Sequence, residues 1–205
     1  MSTEIEDILK QYGVLKQGHF QLTSGLHSAQ YFEKFRILEH PELVTRFASR
    51  IAGQFRDQGV SIVCGPTTGG VIIAFEVARQ LGARCVVAEK DEPAGRKIGR
   101  GFQFSPEDRI LVVDDVLTTG GSAKDTLDAL AGFPGRVLGI SVFIDRSAES
   151  PFPLPLFAVY RQPVQNYEPG NCPLCRQGLP LITPGSKGKR QTADGHRLAD
   201  VSRKP

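Results

Sequence analysis

The stretch Arg109–Leu130, RILVVDDVLTTGGSAKDTLDAL, decides the fold class of this chain. A run of four apolar residues leads directly into two adjacent carboxylates, Asp114 and Asp115. A loop of threonine, glycine and serine follows, and a helical pattern begins near Ala123. A short, continuous apolar run is typical of a strand that is buried on both faces of a sheet. The stretch therefore predicts a central strand, a polar loop and a helix, in that order.

The same alternation recurs along the rest of the chain. Further strands are predicted at VSIVC, RCVVAE, RVLGISVFID and LPLFAVY. Helices are predicted at TEIEDILKQYG, PELVTRFASRIAGQFRDQG and VIIAFEVARQLG, and a short hairpin or extended segment at residues 18–38. Apolar strands that alternate with helices indicate a parallel sheet covered on both faces. We therefore expect an α/β fold with a central parallel sheet flanked by helices.

Length and charge limit the classes of function. The chain has 205 residues and a net charge of only +3, which does not call for nucleic acid or a membrane as a partner. No apolar run approaches the ~18 residues of a membrane span, and the acidic N-terminus does not resemble a signal peptide. We expect a cytoplasmic protein with one domain over residues 1–180. The polar segment 181–205 has no periodicity and is predicted to be a mobile tail.

The two acids need a compensating partner. Two unpaired charges at the end of a buried strand would cost roughly several kcal/mol each. A sugar diol satisfies them, because each hydroxyl donates a hydrogen bond to an anionic acceptor. The loop behind them can hold a phosphate, because its N–H groups, its hydroxyls and the helix N-terminus all favour an anion. Its residues are Thr118, Thr119, Gly120, Gly121 and Ser122. The pattern therefore predicts a site for a sugar phosphate.

Other readings of these motifs fit less well. An acidic pair also ends the first strand of receiver domains, but here it follows two strand–loop–helix units. The loop GPTTGG, residues 65–70, lacks the lysine of a P-loop, and the dinucleotide fingerprint GxGxxG is absent. A ligand-free acidic surface turn is disfavoured by the apolar run before it.

The stretch ILVVDDVLTTGGS, residues 110–122, resembles the phosphoribosyl-pyrophosphate motif of type I phosphoribosyltransferases. The resemblance implies that Asp114 and Asp115 hold the ribose 2- and 3-hydroxyls and that residues 118–122 bind the 5-phosphate. It also implies the fold of that family, with a small N-terminal hood over about residues 1–40. We expect Mg²⁺ to bridge pyrophosphate and ribose oxygens, with the two acids reaching it at most through water.

Two further stretches resemble the orotate phosphoribosyltransferase subfamily. The first, FQLTSGLHSAQYFEK, carries the matching residues Phe20, Ser24, Gly25, Ser28 and Tyr31. The second, IDRSAES, places Arg146 where the subfamily binds the orotate carboxylate. An arginine suits that role because its planar fork binds a carboxylate through two hydrogen bonds. The resemblance implies phosphoribosyl pyrophosphate and orotate as substrates. The alternative for Arg146 is a solvated surface arginine.

Two loops are predicted to bind the leaving pyrophosphate. The loop GPTTGG offers the backbone N–H groups of Thr67, Thr68, Gly69 and Gly70. The basic, glycine-containing loop 90–101 can close over a substrate, and we assign leaving-group stabilisation to Lys90, Arg96 and Lys97. In the family this loop reaches the partner's site, so a homodimer is expected. The alternative is a solvated basic hairpin.

The sequence departs from the subfamily in three places, which leaves the base open. Thr23 and Gly69 stand where the subfamily has lysines, and the basic loop has no histidine. A phosphoribosyltransferase for another purine or pyrimidine base therefore stays an alternative. So does a non-catalytic sensor of phosphoribosyl pyrophosphate, although the chain shows neither a DNA-binding module nor a strongly basic face.

The cysteines give a weaker signal. Cys64 and Cys85 lie in apolar runs and are predicted to be small buried hydrophobes. Cys172 and Cys175 form a single CxxC, which is half of a zinc site, and no histidine stands at a useful spacing. The expectation is a closed turn with free thiols. Zinc is the lesser alternative, for example in a four-sulfur site completed by a dimer.

Overall fold

The computed structural model describes residues 2–22 and 24–184. The chain divides into two compact units, residues 1–16 with 32–164 and residues 17–31 with 165–205. Thr23 and most of the predicted tail, residues 185–205, lie outside the described residues. No helix in the described part of the chain is both long enough and apolar enough to cross a membrane.

The first unit is built on a six-stranded sheet with the order β5-β4-β3-β6-β7-β8. Its strands are β3 (Ile62–Pro66), β4 (Arg84–Lys90), β5 (Arg96–Ile98), β6 (Arg109–Leu117), β7 (Arg136–Asp145) and β8 (Leu156–Arg161). All neighbouring pairs are parallel except β4 and β5. The strand that carries the acidic pair, β6, lies between β3 and β7. The predicted central parallel sheet is therefore confirmed.

The helices of this unit are α1 (Ser2–Gln11), α2 (Phe35–Leu38), α3 (Pro41–Phe55), α4 (Gly69–Leu81) and α5 (Gly121–Leu130). In α3 the apolar residues spaced by four, which predicted the helix, are all buried: Leu43, Phe47, Ile51 and Phe55. A short 3₁₀ helix, residues 56–58, continues α3 to Gly59, whose φ of 64° suits a glycine.

Alternate residues of β6 lie in two different hydrophobic clusters. Leu111 and Val113 belong to the cluster that contains residues of α1, α3 and α4, whereas Ile110 and Val112 belong to the cluster with residues of α5. Because successive side chains of a strand point to opposite faces, the sheet is covered on both sides. The helices thus flank the sheet, as predicted.

The second unit contains most of a three-stranded sheet with the order β1-β2-β9. Its strands are β1 (Leu15–Gln21), β2 (His27–Phe32) and β9 (Asn166–Tyr167); a 3₁₀ turn (Pro169–Asn171) and the one-turn helix α6 (Pro173–Arg176) follow. The hairpin expected in this region is therefore present. Further along, Ile182 N–H donates to the carbonyl of His19 at 2.8 Å, which ties the end of the described chain to β1.

The expectation that the CxxC has no histidine partner is wrong. His19 of β1 and His27 of β2 lie beside Cys172 and Cys175, and the ligand atoms of all four side chains are within 4.8 Å of one another. The linear spacing conceals this arrangement, because Cys172 follows His19 by 153 residues. None of the four cysteines forms a disulfide bond, and Cys85 is only partly buried.

Candidate active site

The acidic pair lies near the carboxyl end of β6 and is buried, with Asp114 7% and Asp115 5% exposed. The strand continues past the acids to Leu117 rather than ending at them. Each acid accepts one local backbone hydrogen bond: Asp114 Oδ1 from the N–H of Asp115 at 2.8 Å, and Asp115 Oδ1 from the N–H of Val116 at 2.7 Å. The strand backbone therefore holds both carboxylates in place.

A lysine that the sequence did not single out pairs with the second acid. Lys34 Nζ lies 2.8 Å from Asp115 Oδ2, although the two residues are far apart along the chain. The only sequence signal was its place at the end of the stretch FQLTSGLHSAQYFEK. The ion pair compensates Asp115 and leaves Asp114 without a cation of its own within the described residues.

Burial is the main cause of the raised pKa of Asp114. Burial, followed by the charge of neighbouring Asp115, raises the pKa of Asp114 to about 6, while the Asp115 N–H, the Ser122 hydroxyl and Lys34 oppose the rise. A carboxylate in this state gains from any hydroxyl donor or cation that reaches it. The pair can therefore accept hydrogen bonds from hydroxyl groups of a ligand.

The glycines of GPTTGG allow the first turn of α4 to pack against the acids. A Cβ on Gly69 would lie 2.0 Å from Asp115 Oδ2, and a Cβ on Gly65 would lie 2.2 Å from the carbonyl oxygen of Gly70. Only glycine permits this close approach. In the same loop, Thr67 is partly buried, Thr68 is exposed, and the peptide bond between them is cis.

Arg96 joins three of the predicted loops. It lies in β5 of the basic hairpin, and its Nη1 and Nη2 donate to Thr67 Oγ1 and to the Thr67 carbonyl, each at 3.3 Å. Its Nη2 also donates to Ser122 Oγ at 3.0 Å. The guanidinium therefore connects the predicted pyrophosphate loop, residues 65–70, with the predicted phosphate loop, residues 118–122. By contrast, Lys97 Nζ lies 2.8 Å from Asp91 Oδ1, and Lys90 is exposed. Within the described residues, neither lysine side chain forms a hydrogen bond or an ion pair with these loops.

The phosphate loop presents its polar atoms at the start of α5. Thr118, Thr119 and Gly121 are exposed, and Gly120 is buried with a φ of 83°. A Cβ at Gly120 would lie 2.8 Å from the ring of Phe152, so the turn requires glycine for space as well as for backbone angle. The exposed N–H groups of this turn and the positive end of the helix can receive an anion.

Arg146 directly follows β7 and is buried, with 8% of the residue exposed. Its Cζ lies 5.4 Å from the ring centroid of Phe32, within the range of a cation–π contact. The backbone N–H of Arg146 donates to the carbonyl of Leu117, the last residue of β6, at 2.9 Å. A solvated surface arginine, the alternative for this residue, is therefore ruled out.

The remaining predicted site residues belong to the second unit. Phe20 is buried, and its ring centroid lies 5.7 Å from that of Tyr31. Ser24 is exposed in the turn of the hairpin, and Gly25 has a φ of 86°. Their role in substrate binding stays a prediction.

Comparison with known proteins agrees with this geometry. Residues 36–164 match the phosphoribosyl transferase domain family. The chain is 40% identical over 185 residues to the orotate phosphoribosyltransferase of Desulforamulus reducens, covering 90% of this chain and 96% of that one. It is 40% identical over 194 residues to the orotate phosphoribosyltransferase of Chlorobium phaeobacteroides, covering 91% and 97%.

Solved structures share the fold. The orotate phosphoribosyltransferase of Aeropyrum pernix superposes with a TM-score of 0.62 at 26% identity, covering 77% of this chain and 93% of that one. The adenine phosphoribosyltransferase of Rhodothermus marinus gives a TM-score of 0.60 at 22% identity, covering 78% and 99%, which speaks for the fold alone. The chain therefore belongs to the phosphoribosyltransferase family, and these curated relatives within it are orotate phosphoribosyltransferases.

Proposed function

We propose that this chain is an orotate phosphoribosyltransferase, which transfers 5-phosphoribose from phosphoribosyl pyrophosphate to orotate and releases pyrophosphate. The observation that carries the proposal is the buried pair Asp114–Asp115 beside the open phosphate loop at the start of α5. The names of the curated relatives support orotate as the base.

The ribose and its phosphate occupy the two halves of this arrangement. The two ring hydroxyls donate to the carboxylates of Asp114 and Asp115, which offsets the loss of solvation that, with the charge of Asp115, raises the pKa of Asp114. The 5-phosphate accepts hydrogen bonds from the N–H groups and hydroxyls of residues 118–122. The sugar is thereby held at both ends with its C1 carbon free to react.

The leaving pyrophosphate lies along the loop 67–70. As the bond from C1 to pyrophosphate breaks and the bond to the base nitrogen forms, negative charge grows on the departing oxygens. Fixed donors that await this charge lower the barrier. The N–H groups of Thr68, Gly69 and Gly70 and the Arg96 guanidinium, which already donates to Thr67, are such donors. The N–H of Thr67 is not one of them, because it donates to the Ala88 carbonyl at 3.0 Å. Lys90 and Lys97 act from the hairpin, which in a homodimer reaches the partner's site.

Magnesium fits the chemistry of the acidic pair. The donors there are carboxylate oxygens, which Mg²⁺ prefers, and Lys34 already occupies one oxygen of Asp115. Asp114 and Asp115 would therefore hold the ion through water rather than by enclosing it. Bound there with the substrate, Mg²⁺ supplies positive charge to the pyrophosphate and ribose oxygens.

Orotate meets Arg146. The planar guanidinium matches the base carboxylate through two hydrogen bonds, and its position at the carboxyl end of β7 is one where α/β sheets bind ligands. Phe20, Ser24, Gly25 and Tyr31 of the hairpin complete substrate binding, as the resemblance implies.

The proposal is tested by a spectrophotometric assay with phosphoribosyl pyrophosphate, Mg²⁺ and a panel of free bases. We expect orotate to be consumed with pyrophosphate release. Asp115→Asn should cut turnover by about tenfold or more, because it removes charge beside the reacting ring. Asp128→Asn, on the exposed side of α5, is the matched control and should be fully active. Conversion of a purine but not orotate, or full activity of Asp115→Asn, would overturn the assignment.

A further inference from the structure

Four side chains of the second unit converge on one point. His19 Nε2 lies 3.0 Å from His27 Nδ1 and 3.6 Å from each of the two sulfurs, Cys172 Sγ and Cys175 Sγ. Cys175 Sγ lies 3.3 Å from His27 Nδ1. The residues come from β1, from β2 and from the two ends of the CxxC turn, so three separate segments meet here.

These separations are those of a tetrahedral metal site. Zinc binds sulfur at about 2.3 Å and histidine nitrogen at about 2.0–2.1 Å, so a regular tetrahedron spaces nitrogen and sulfur by about 3.6 Å and the two nitrogens by about 3.3 Å. The nitrogen–sulfur distances in the cluster are 3.3 and 3.6 Å, and the nitrogen–nitrogen distance is 3.0 Å. All four ligand atoms lie within 4.8 Å of one another, so an ion at the centre would draw the most widely separated atoms together by at most about an ångström.

Hydrogen bonding alone does not account for the cluster. His19 Nδ1 lies 2.8 Å from the carbonyl oxygen of Leu179, and because a carbonyl only accepts, Nδ1 carries the proton. Nε2 of the neutral ring then has a single lone pair. Three groups crowd around that lone pair, the His27 ring and two thiols, and only one of them can donate to it. A cation that all four atoms ligate removes the conflict.

The contact between His19 and Leu179 also has the form found around metal ligands. A ligating histidine commonly donates its other ring N–H to a carbonyl or a carboxylate, which fixes the tautomer and the orientation of the ring. His19, His27 and Cys172 are buried, whereas Cys175 is exposed and leaves a route by which an ion can enter. The site is thus enclosed and oriented but still accessible.

The described residues of the second unit form no hydrophobic core of their own. Among its described residues, Phe20 and Cys172 are the only buried hydrophobic ones. A small unit without a core needs another source of stability, such as a structural metal. An ion held by the cluster would tie the hairpin, which carries Phe20, to the segment around the CxxC.

We propose that His19, His27, Cys172 and Cys175 bind one structural zinc ion per chain. Two thiolates and two imidazoles form a soft donor set that selects zinc over Mg²⁺, and four protein ligands leave no position for a substrate. The ion is therefore separate in chemistry and purpose from the magnesium of the transfer reaction. By analogy with other structural sites, the dissociation constant should be about 50 nM or tighter at neutral pH.

Metal analysis of the full chain, purified with a non-chelating reductant, tests the proposal. We expect about one equivalent of zinc per chain, and less than about a tenth of that in Cys175→Ser and in His27→Gln. Each variant has a matched control outside the cluster. Cys85→Ser removes a thiol from β4 and His40→Gln removes a partly buried histidine, and both should keep their zinc.

A second measurement covers variants that fail to fold. Wild-type protein stripped with a chelator is titrated with Co²⁺, and the visible spectrum of tetrahedral cobalt bound to thiolates should appear and saturate at one equivalent. Zinc should then displace the cobalt and protect two thiols from a thiol reagent. The proposal would be overturned if the protein were purified without zinc and showed no such spectrum with Co²⁺. A disulfide between Cys172 and Cys175 under reducing conditions would also overturn it. None of these readouts depends on which base the enzyme uses.

Discussion

Replacing Asp114 with asparagine should make the ligand-free protein more stable at neutral pH, although the residue belongs to the proposed active site. Burial and the charge of Asp115 raise the pKa of Asp114 from 3.8 to about 6. A group whose pKa is higher in the folded state contributes stability below its unfolded pKa. It loses that contribution as the pH rises through the folded pKa. The carboxylate is therefore a cost above about pH 6 that asparagine does not incur.

The size of the effect follows from the pKa. A rise from 3.8 to about 6 corresponds to about 3 kcal/mol at pH 8, since each pKa unit is worth about 1.4 kcal/mol. The buried amide group of asparagine introduces an N–H donor that costs about 1 kcal/mol if it lacks a partner. The net gain should be about 2 kcal/mol at pH 8 and become a loss of less than about 1 kcal/mol at pH 4. The free energies of unfolding of wild type and Asp114→Asn, plotted against pH, should cross near pH ~4.5.

The assay is urea denaturation of wild type and Asp114→Asn across this pH range, without Mg²⁺ or phosphate. Asp108→Asn is a control whose effect on stability at pH 8 should have the opposite sign. The Ser61 hydroxyl, the Ser105 N–H and Arg84 lower the pKa of Asp108, so its loss should destabilise the protein at pH 8 and matter less as the pH falls. A difference between wild type and Asp114→Asn that is independent of pH, or a loss of stability at pH 8, would refute the reasoning.

Three further changes probe other parts of the site. Arg96→Ala should lower kcat/KM for phosphoribosyl pyrophosphate by about 100-fold in steady-state kinetics, because it removes a fixed donor to the leaving group, and a loss below about threefold would contradict that role. Gly65→Ala should lower the free energy of unfolding by about 2–3 kcal/mol, since its Cβ would meet the Gly70 carbonyl, whereas Gly53→Ala in α3 meets nothing and should not destabilise. Arg146→Lys should raise the KM for orotate by about tenfold and leave that for phosphoribosyl pyrophosphate unchanged, because lysine lacks the planar fork; equal changes in both would argue against a base-side role.

The central part of the site could be predicted from the sequence because it is contiguous. The apolar run of β6, the acids and the loop to Ser122 lie within one stretch, and each part has a local physical signature. The alternation of strands and helices gave the parallel sheet for the same reason. The sequence also indicates that the glycines of GPTTGG matter. It does not reveal the reason that the structure shows, which is the packing of α4 against the acids.

Contacts between distant segments could not be read from the chain. The folded sheet brings Lys34 to Asp115 and Arg96 to Ser122, although these residues are far apart along the chain. Spacing along the chain conceals the histidine partners of the CxxC, because strand pairing joins the hairpin to the C-terminal segment over a long sequence distance. Such pairs depend on topology rather than on local pattern.

The short strand β5 forms one edge of the six-stranded sheet. It covers the last residues of β4, where Ala88, Glu89 and Lys90 pair with Ile98, Lys97 and Arg96. An uncovered edge at this point would expose backbone groups that can recruit a strand of another molecule. β5 forms the new edge with only three residues, two of which are cationic. If the hairpin opened, the end of β4 would be uncovered, so a substrate that keeps Arg96 in its contacts with Thr67 and Ser122 should also reduce aggregation.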